Sequence, residues 1–122
     1  IKLLAPSGFR VYAGSEVFLM RTLRAGGVGC ISATANVNPH AIADLAAHWR
    51  ESNADERQAG LDKVRSVFAK YQMIAGMKTA VAHYSKDPEW LRVRPPLMQL
   101  SADQQAQLLS ELKAINFSMP GL

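Results

Sequence analysis

The sequence predicts an α/β protein that holds less β-sheet than such a fold needs. Three observations carry that expectation. The chain opens with a strand–helix–strand order, with residues 9–13 and 28–33 as the strands. The second strand is small and apolar on both faces, as a parallel strand covered on each side is. Nearly everything after Asn38 reads as helix. Two short parallel strands cannot make a stable sheet alone, because each needs neighbours at its edges and cover on both faces. The expectation is that part of the domain lies outside this chain or comes from another one.

The elements follow from local chemistry. Ile1-Lys2-Leu3-Leu4 reads as the tail of a helix, and a helix running straight into a strand implies an earlier strand. Phe9-Arg10-Val11-Tyr12-Ala13 is rich in β-branched and aromatic residues and lies between Gly8 and Gly14, which makes it a strand. Ser15 can cap the next helix, whose apolar face draws on Val17, Phe18, Met20 and Leu23. Gly26 and Gly27 stop it, since glycine takes the left-handed conformation readily. Val28 to Ala33 forms the second strand. Asn38 caps a helix with Pro39 in its first turn, running through Glu51. Ile42, Leu45, Ala46 and Trp49 give it an i, i+3, i+4, i+7 face.

Asn53 and Glu56 stand at capping-box spacing before a further helix, with Leu61, Val64, Phe68 and Tyr71 on one face. Ile74, Met77, Val81 and Tyr84 continue helical periodicity to Lys86. Arg92 to Gln99 is extended, because Pro95 and Pro96 push the residues before them out of helical geometry. Ser101 and Gln104 form a capping box for the last helix, which presents Leu108, Leu109, Leu112 and Ile115.

Composition bounds the function. The 122 residues are 48% hydrophobic and 20% charged, which is globular rather than disordered. No apolar run approaches the roughly 20 residues of a membrane span. Residues 1–8 lack the pattern of a signal peptide. The single cysteine, Cys30, forms no internal disulfide, and no Cys/His cluster has zinc spacing. A reduced, cytoplasmic protein without metal is expected. The net charge of +4 is spread along the chain, and only Arg92 and Arg94 form a tight basic pair. Nucleic acid and membrane are therefore not expected partners.

The candidate chemical groups are few. Gly26-Gly27-Val28-Gly29 lacks dinucleotide-fold and P-loop spacing, and a strand follows it; a helix stop with close helix–strand packing explains it better. His40 and His48 are too far apart for an i, i+4 metal pair, so helix-surface roles are expected for them and for His83. Among the lysines only Lys78 stands among apolar neighbours, and snorkelling accounts for it. Ser15 and Glu16 follow the first strand; Ser32, Thr34 and Asn36 follow the core of the second. Polar groups at the carboxyl ends of parallel strands are where α/β folds place their sites. Capping by Ser15 and local turn bonds from Thr34 and Asn36 explain the same residues equally well.

At these segments a resemblance enters. Phe9-Arg10-Val11-Tyr12-Ala13-Gly14-Ser15-Glu16, followed by Gly26-Gly27-Val28-Gly29-Cys30-Ile31-Ser32-Ala33-Thr34-Ala35-Asn36-Val37, closely resembles the dihydrodipicolinate synthase/N-acetylneuraminate lyase family. Arg92-Val93-Arg94-Pro95-Pro96-Leu97 and the Met119-Pro120-Gly121-Leu122 ending are similar to that family's C-terminus. The resemblance implies an α/β fold of the (β/α)₈ TIM-barrel class, of which a whole barrel takes about 250 residues. It implies that this chain supplies strands seven and eight with their helices over residues 1–51, and a C-terminal helical extension over residues 52–122.

The implied chemistry is that of a class I aldolase or lyase. A barrel lysine forms a Schiff base with pyruvate or another 2-oxo acid, and a carbon–carbon bond α to the imine forms or breaks. That lysine stands in a Gly-x-Lys-Asp/Glu context that no lysine here has, so it and the catalytic tyrosine are expected upstream. The resemblance carries over four substrate-lining positions. Ile31 matches an isoleucine whose backbone touches the pyruvate moiety. Gly14 matches a glycine that leaves room for substrate. Ser15 and Glu16 fall where sugar-cleaving relatives hold acidic groups. Ser15 departs from that acidic pattern and Ala33 replaces a serine of sialic-acid lyases, which points to a synthase-like activity on smaller oxo acids. A 2-keto-3-deoxy sugar acid aldolase or dehydratase of the same family is the alternative. A noncatalytic, partner-dependent helical module is the alternative from another class. No cofactor is implied, and a homo-oligomer, dimer or tetramer, is.

Overall fold

The computed structural model describes residues 1–122. The chain divides into two compact units, Ile1–Asp62 and Lys63–Leu122.

The first unit begins with a turn in which the Ala5 N–H donates to the Ile1 carbonyl at 2.9 Å, followed by a 3-10 turn over Ala5–Ser7. Strand β1 (Tyr12–Ala13) pairs in parallel with strand β2 (Gly29–Cys30), Tyr12 opposite Gly29 and Ala13 opposite Cys30. Both strands are shorter than the expected segments, the ladder being confined to the last two residues of the first and to the second and third of the second. Flanking bonds extend the contact: Val28 N–H to the Val11 carbonyl at 2.9 Å and Ile31 N–H to the Ala13 carbonyl at 2.8 Å.

Helix α1 (Leu19–Arg24) is the crossover between the strands, preceded by a 3-10 turn at Glu16–Phe18. The expected cap at Ser15 is present: its hydroxyl accepts from Val17 N–H at 3.4 Å. The buried face is Leu19, Met20, Thr22 and Leu23, while Val17 and Phe18 are exposed. The 3-10 start shifts the register by tightening the first turn, so Leu19 takes the inward position expected of Phe18. The helix ends as a Schellman motif. Gly26 lies at φ +87°, its N–H donates to Leu23 O at 3.0 Å, and Gly27 N–H donates to Thr22 O at 2.8 Å. A Cβ on Gly27 would overlap Thr22 Cγ2 and lie 3.0 Å from the carbonyl oxygens of Thr22 and Val11. The glycine run is thus a helix stop and a close helix–strand contact.

Helix α2 (Pro39–His48) starts at Asn38 without a side-chain cap bond. Leu45 is fully buried, and Ile42, Ala46 and Trp49 pack on the cluster of Leu19, Met20, Leu23, Leu45, Ala54 and Leu61. Burying each large aliphatic side chain contributes about 1.5–3 kcal/mol. Helix α3 (Ala54–Phe68) contributes Ala54 and Leu61 to that cluster from its first half. Arg57 on α3 pairs with Asp44 on α2 and with Glu51, the latter at 3.1 Å. The guanidinium holds the Asp44 carboxyl below the usual carboxylate range.

The second unit contains the end of α3, helix α4 (Met73–Ser85), a 3-10 turn at Pro88–Leu91, and helix α5 (Ala102–Ala114). Gln72 caps α4 by accepting from Ala75 N–H at 2.7 Å. The buried face of α4 is Ala75, Gly76, Met77, Thr79, Ala80 and Ala82; of the expected stripe Met77 is buried, Val81 and Tyr84 are half-buried and Ile74 is exposed. Small residues let the backbone approach its neighbours: a Cβ on Gly76 would lie 3.7 Å from both Phe68 and Leu108. The expected capping box of α5 is complete, with Ser101 and Gln104 bonding reciprocally. Leu108 and Leu112 are fully buried, Leu109 and Ile115 partly. Phe68 and Tyr84 each meet the Phe117 ring edge-on, at 6.0 and 5.8 Å between centroids, and the Tyr84 hydroxyl donates to the Phe117 carbonyl at 2.9 Å.

Two predictions follow from the first unit. Gly27→Ala should lower unfolding stability by about 1–3 kcal/mol, the usual cost of overpacking, read from denaturant midpoints. Arg57→Ala should lower the melting temperature at pH 7. Asp44 has a depressed pKa when folded, so its contribution is present above its unfolded value and is lost as pH falls through the folded one. The gap between wild type and Arg57→Ala should therefore narrow in melts recorded below about pH 4.

Candidate functional site

The carboxyl ends of the two strands lie side by side because the strands are parallel neighbours. β1 ends at Ala13 and runs into Gly14-Ser15-Glu16; β2 ends at Cys30 and runs into Ile31-Ser32 and a 3-10 turn at Ala33–Asn36. The site residues expected from sequence thus converge on one end of the sheet. Gly14 is exposed, and a Cβ built on it would meet nothing within 4 Å. Its φ is not in the left-handed region, so neither backbone conformation nor packing within the chain calls for glycine here. Ile31 is 73% exposed although its N–H is held by the Ala13 carbonyl.

Glu16 is different: it is 1% exposed. Its Oε2 accepts from the hydroxyls of Ser15, at 3.2 Å, and Ser32; its Oε1 accepts from the Thr34 hydroxyl. The Ser32 and Thr34 hydroxyl oxygens are 3.2 Å apart. Gln58 of α3 secures the backbone beneath: its Nε2 donates to the Glu16 carbonyl at 3.0 Å and its Oε1 accepts from Met20 N–H at 3.1 Å. A carboxylate taken from water in this way stays compensated, because hydroxyl donors replace its hydration.

Ser32 and Thr34 are therefore partners of Glu16 across the strand pair, which a turn-bonding role for Thr34 did not capture. The available signal is that Glu16 follows one strand and Ser32 and Thr34 follow its parallel neighbour. Asn36 does make the expected local bond, donating from Nδ2 to the Ala33 carbonyl at 2.8 Å. Cys30 is half-buried, and burial first, then the nearby Glu16 charge, pushes its thiol pKa up, which keeps it protonated and poorly nucleophilic.

The remaining sequence candidates lie away from this end. His48 Nδ1 is 2.9 Å from the Asp44 carbonyl within α2, and His40 is exposed near the start of that helix. Within the second unit, Lys78 Nζ sits 5.6 Å from the Trp90 ring centroid, a snorkelled cation–π contact, and the His83 ring meets Tyr84 edge-on at 5.2 Å. No group of three or more His, Cys, Asp or Glu side chains is placed to hold a metal ion. No helix is long and apolar enough to cross a membrane.

Comparison with known proteins shows which family this fold belongs to. The chain is 33% identical over 121 residues to 4-hydroxy-tetrahydrodipicolinate synthase from Laribacter hongkongensis and 32% identical over 115 residues to that of Saccharophagus degradans. Each match covers 92% of this chain and 39% of the relative, so the chain spans about two fifths of the length of the curated proteins it matches. Among solved structures, a prophage protein of the dihydrodipicolinic acid synthase family from E. coli K12, in complex with pyruvate, superposes with a TM-score of 0.80 at 25% identity. That superposition covers 93% of this chain and 39% of the other. The fold seen here thus corresponds to a portion of a larger α/β protein's fold. The model of the dihydrodipicolinate synthetase family matches residues 1–115, nearly the whole sequence, and the chain belongs to that family.

Proposed function

We propose that residues 1–51 are the strand-seven and strand-eight units of a TIM barrel, that residues 52–122 are its C-terminal extension, and that the strand ends form one wall of a site for pyruvate or another 2-oxo acid. The observation that carries this reading is Gly14 beside Ile31. Two neighbouring parallel strands bring an unobstructed glycine and the exposed Ile31 to the same end of the sheet. A small planar keto acid needs close approach to backbone, and glycine permits it. The curated relatives are synthases and the E. coli K12 neighbour is in complex with pyruvate, which supports the same reading.

The reaction in this reading is Schiff-base aldol chemistry. A lysine amine adds to the C2 carbonyl of the oxo acid and water leaves, giving an imine. The imine takes up the electron pair when a C3 proton is lost, and the resulting enamine attacks an aldehyde. None of the lysines here, Lys2, Lys63, Lys70, Lys78, Lys86 or Lys113, stands in a Gly-x-Lys-Asp/Glu context. The imine lysine therefore belongs to sequence outside these residues. Ile31, Gly14 and Ser15 face the oxo acid, and Glu16 is buried among the Ser15, Ser32 and Thr34 hydroxyls. Activity with no organic cofactor or metal, in a dimer or tetramer in the cytoplasm, completes the reading.

Two measurements test it. Incubation with pyruvate and borohydride should yield, by intact mass, a polypeptide heavier than 13.3 kDa bearing one reduced pyruvyl adduct; a 13.3-kDa chain without adduct would overturn the catalytic reading and favour the noncatalytic module. Gly14→Val should leave unfolding stability within about 0.5 kcal/mol. It should raise the pyruvate concentration for half-maximal trapping by about tenfold, equivalent to about 1.4 kcal/mol. An unchanged trapping curve would remove Gly14 from the site.

A further inference from the structure

Glu16 has surroundings unlike those of a residue that meets a ligand. A carboxylate offers about four acceptor positions, and hydroxyls of this chain occupy three: Ser15 and Ser32 at Oε2, Thr34 at Oε1. These donors come from both strand ends. Ser15 follows β1 beside Gly14, and Ser32 follows β2 beside Ile31. The two strands share only a two-residue register, flanked by the Val28–Val11 and Ile31–Ala13 backbone bonds. So short a ladder leaves the separation of the two ends loosely set. The Glu16 side chain supplies a second tie at the carboxyl end alone, and Gln58 anchors the Glu16 backbone from below.

We infer that Glu16 is a positioning residue: its carboxylate fixes the Ile31–Ser32 backbone against the Gly14–Ser15 turn and does not itself touch the substrate. The inference rests on the reading of Gly14 and Ile31 as a substrate wall. It also narrows the substrate. With its oxygens engaged by Ser15, Ser32 and Thr34, the acid at position 16 is not offered to a substrate hydroxyl. The wall then presents backbone and Ile31 to the ligand, which suits a small oxo acid better than a polyhydroxylated one.

Amide hydrogen exchange in the intact protein, without substrate, tests the positioning role directly. Ile31 N–H reports the ladder at the Glu16 end and Val28 N–H reports it at the far end. Glu16→Ala should speed exchange at Ile31 by about tenfold or more, the effect of losing charge-assisted hydrogen bonds, with Val28 little changed. Glu16→Gln should restore protection at Ile31 to within about threefold, since the amide keeps one acceptor and the hydroxyls can turn to accept from its NH₂. Should Glu16→Ala fail to fold, Thr34→Val removes one donor with little change of shape and should move Ile31 in the same direction. Unchanged exchange at Ile31 in folded Glu16→Ala or Thr34→Val, or equal acceleration at Ile31 and Val28, would overturn the inference. In the borohydride assay, Glu16→Ala should raise the pyruvate concentration needed for trapping. Unchanged exchange at Ile31 with a raised KM for the second substrate would mark a direct substrate contact, which also overturns it. Absence of any adduct in the wild type would instead overturn the proposed function, while the exchange comparison still decides the role of Glu16 in holding the strand ends.

Discussion

A carboxylate withdrawn from water loses several kcal/mol of hydration, and a fold can hold one only by rebuilding that hydration from its own donors. Glu16 is such a group, and the geometry of the strand ends follows from how it is satisfied. Ser15 serves it from its own turn, while Ser32 and Thr34 serve it from the neighbouring strand. The Ser15 hydroxyl also accepts from Val17 N–H, so one side chain caps the 3-10 turn and contributes to the buried cluster. Burial first, and the nearby Glu16 charge second, push the Cys30 thiol pKa up.

The glycines divide by physical role. Gly26 and Gly27 are required by the chain itself: one takes a left-handed conformation, and the other has no room for a Cβ between α1 and the first strand segment. Gly14 has neither reason. A glycine that internal packing does not explain, at the carboxyl end of a parallel strand, is a pointer to something outside the chain. Gly76 shows a third use, in the second unit, where a small residue lets α4 run close to Phe68 and Leu108.

Much of the architecture was legible in the residues. The strand–helix–strand order, the helix stop at Gly26 and Gly27, the Ser15 cap and the Ser101–Gln104 box all rest on local chemistry that acts within a few residues. Faces were less legible. The apolar stripe of α4 was expected at Ile74, Met77, Val81 and Tyr84, yet alanines, Gly76 and Thr79 form much of the buried side. Hydrophobic periodicity weights large side chains, whereas a close helix contact selects small ones. In α1 the 3-10 entry rotated the inward face from Phe18 to Leu19, a shift that depends on the cap geometry rather than on composition.

The candidate site shows the same boundary. The sequence by itself determined which residues end the two strands: Gly14, Ser15 and Glu16 after one, Ile31, Ser32 and Thr34 after the other. It also carried the family, because the Gly-Gly-x-Gly-x-Ile-Ser-x-Thr-Ala-Asn run and its spacing are written in the chain. Only the tertiary structure decided that Glu16 turns inward and joins Ser32 and Thr34, while Gly14 and Ile31 stay open. The reason is that burial of a side chain is not a local property. A glutamate beside a strand end can face solvent, ligand or interior, and which it faces depends on whether a neighbouring strand, distant in sequence, brings hydroxyls within hydrogen-bonding reach.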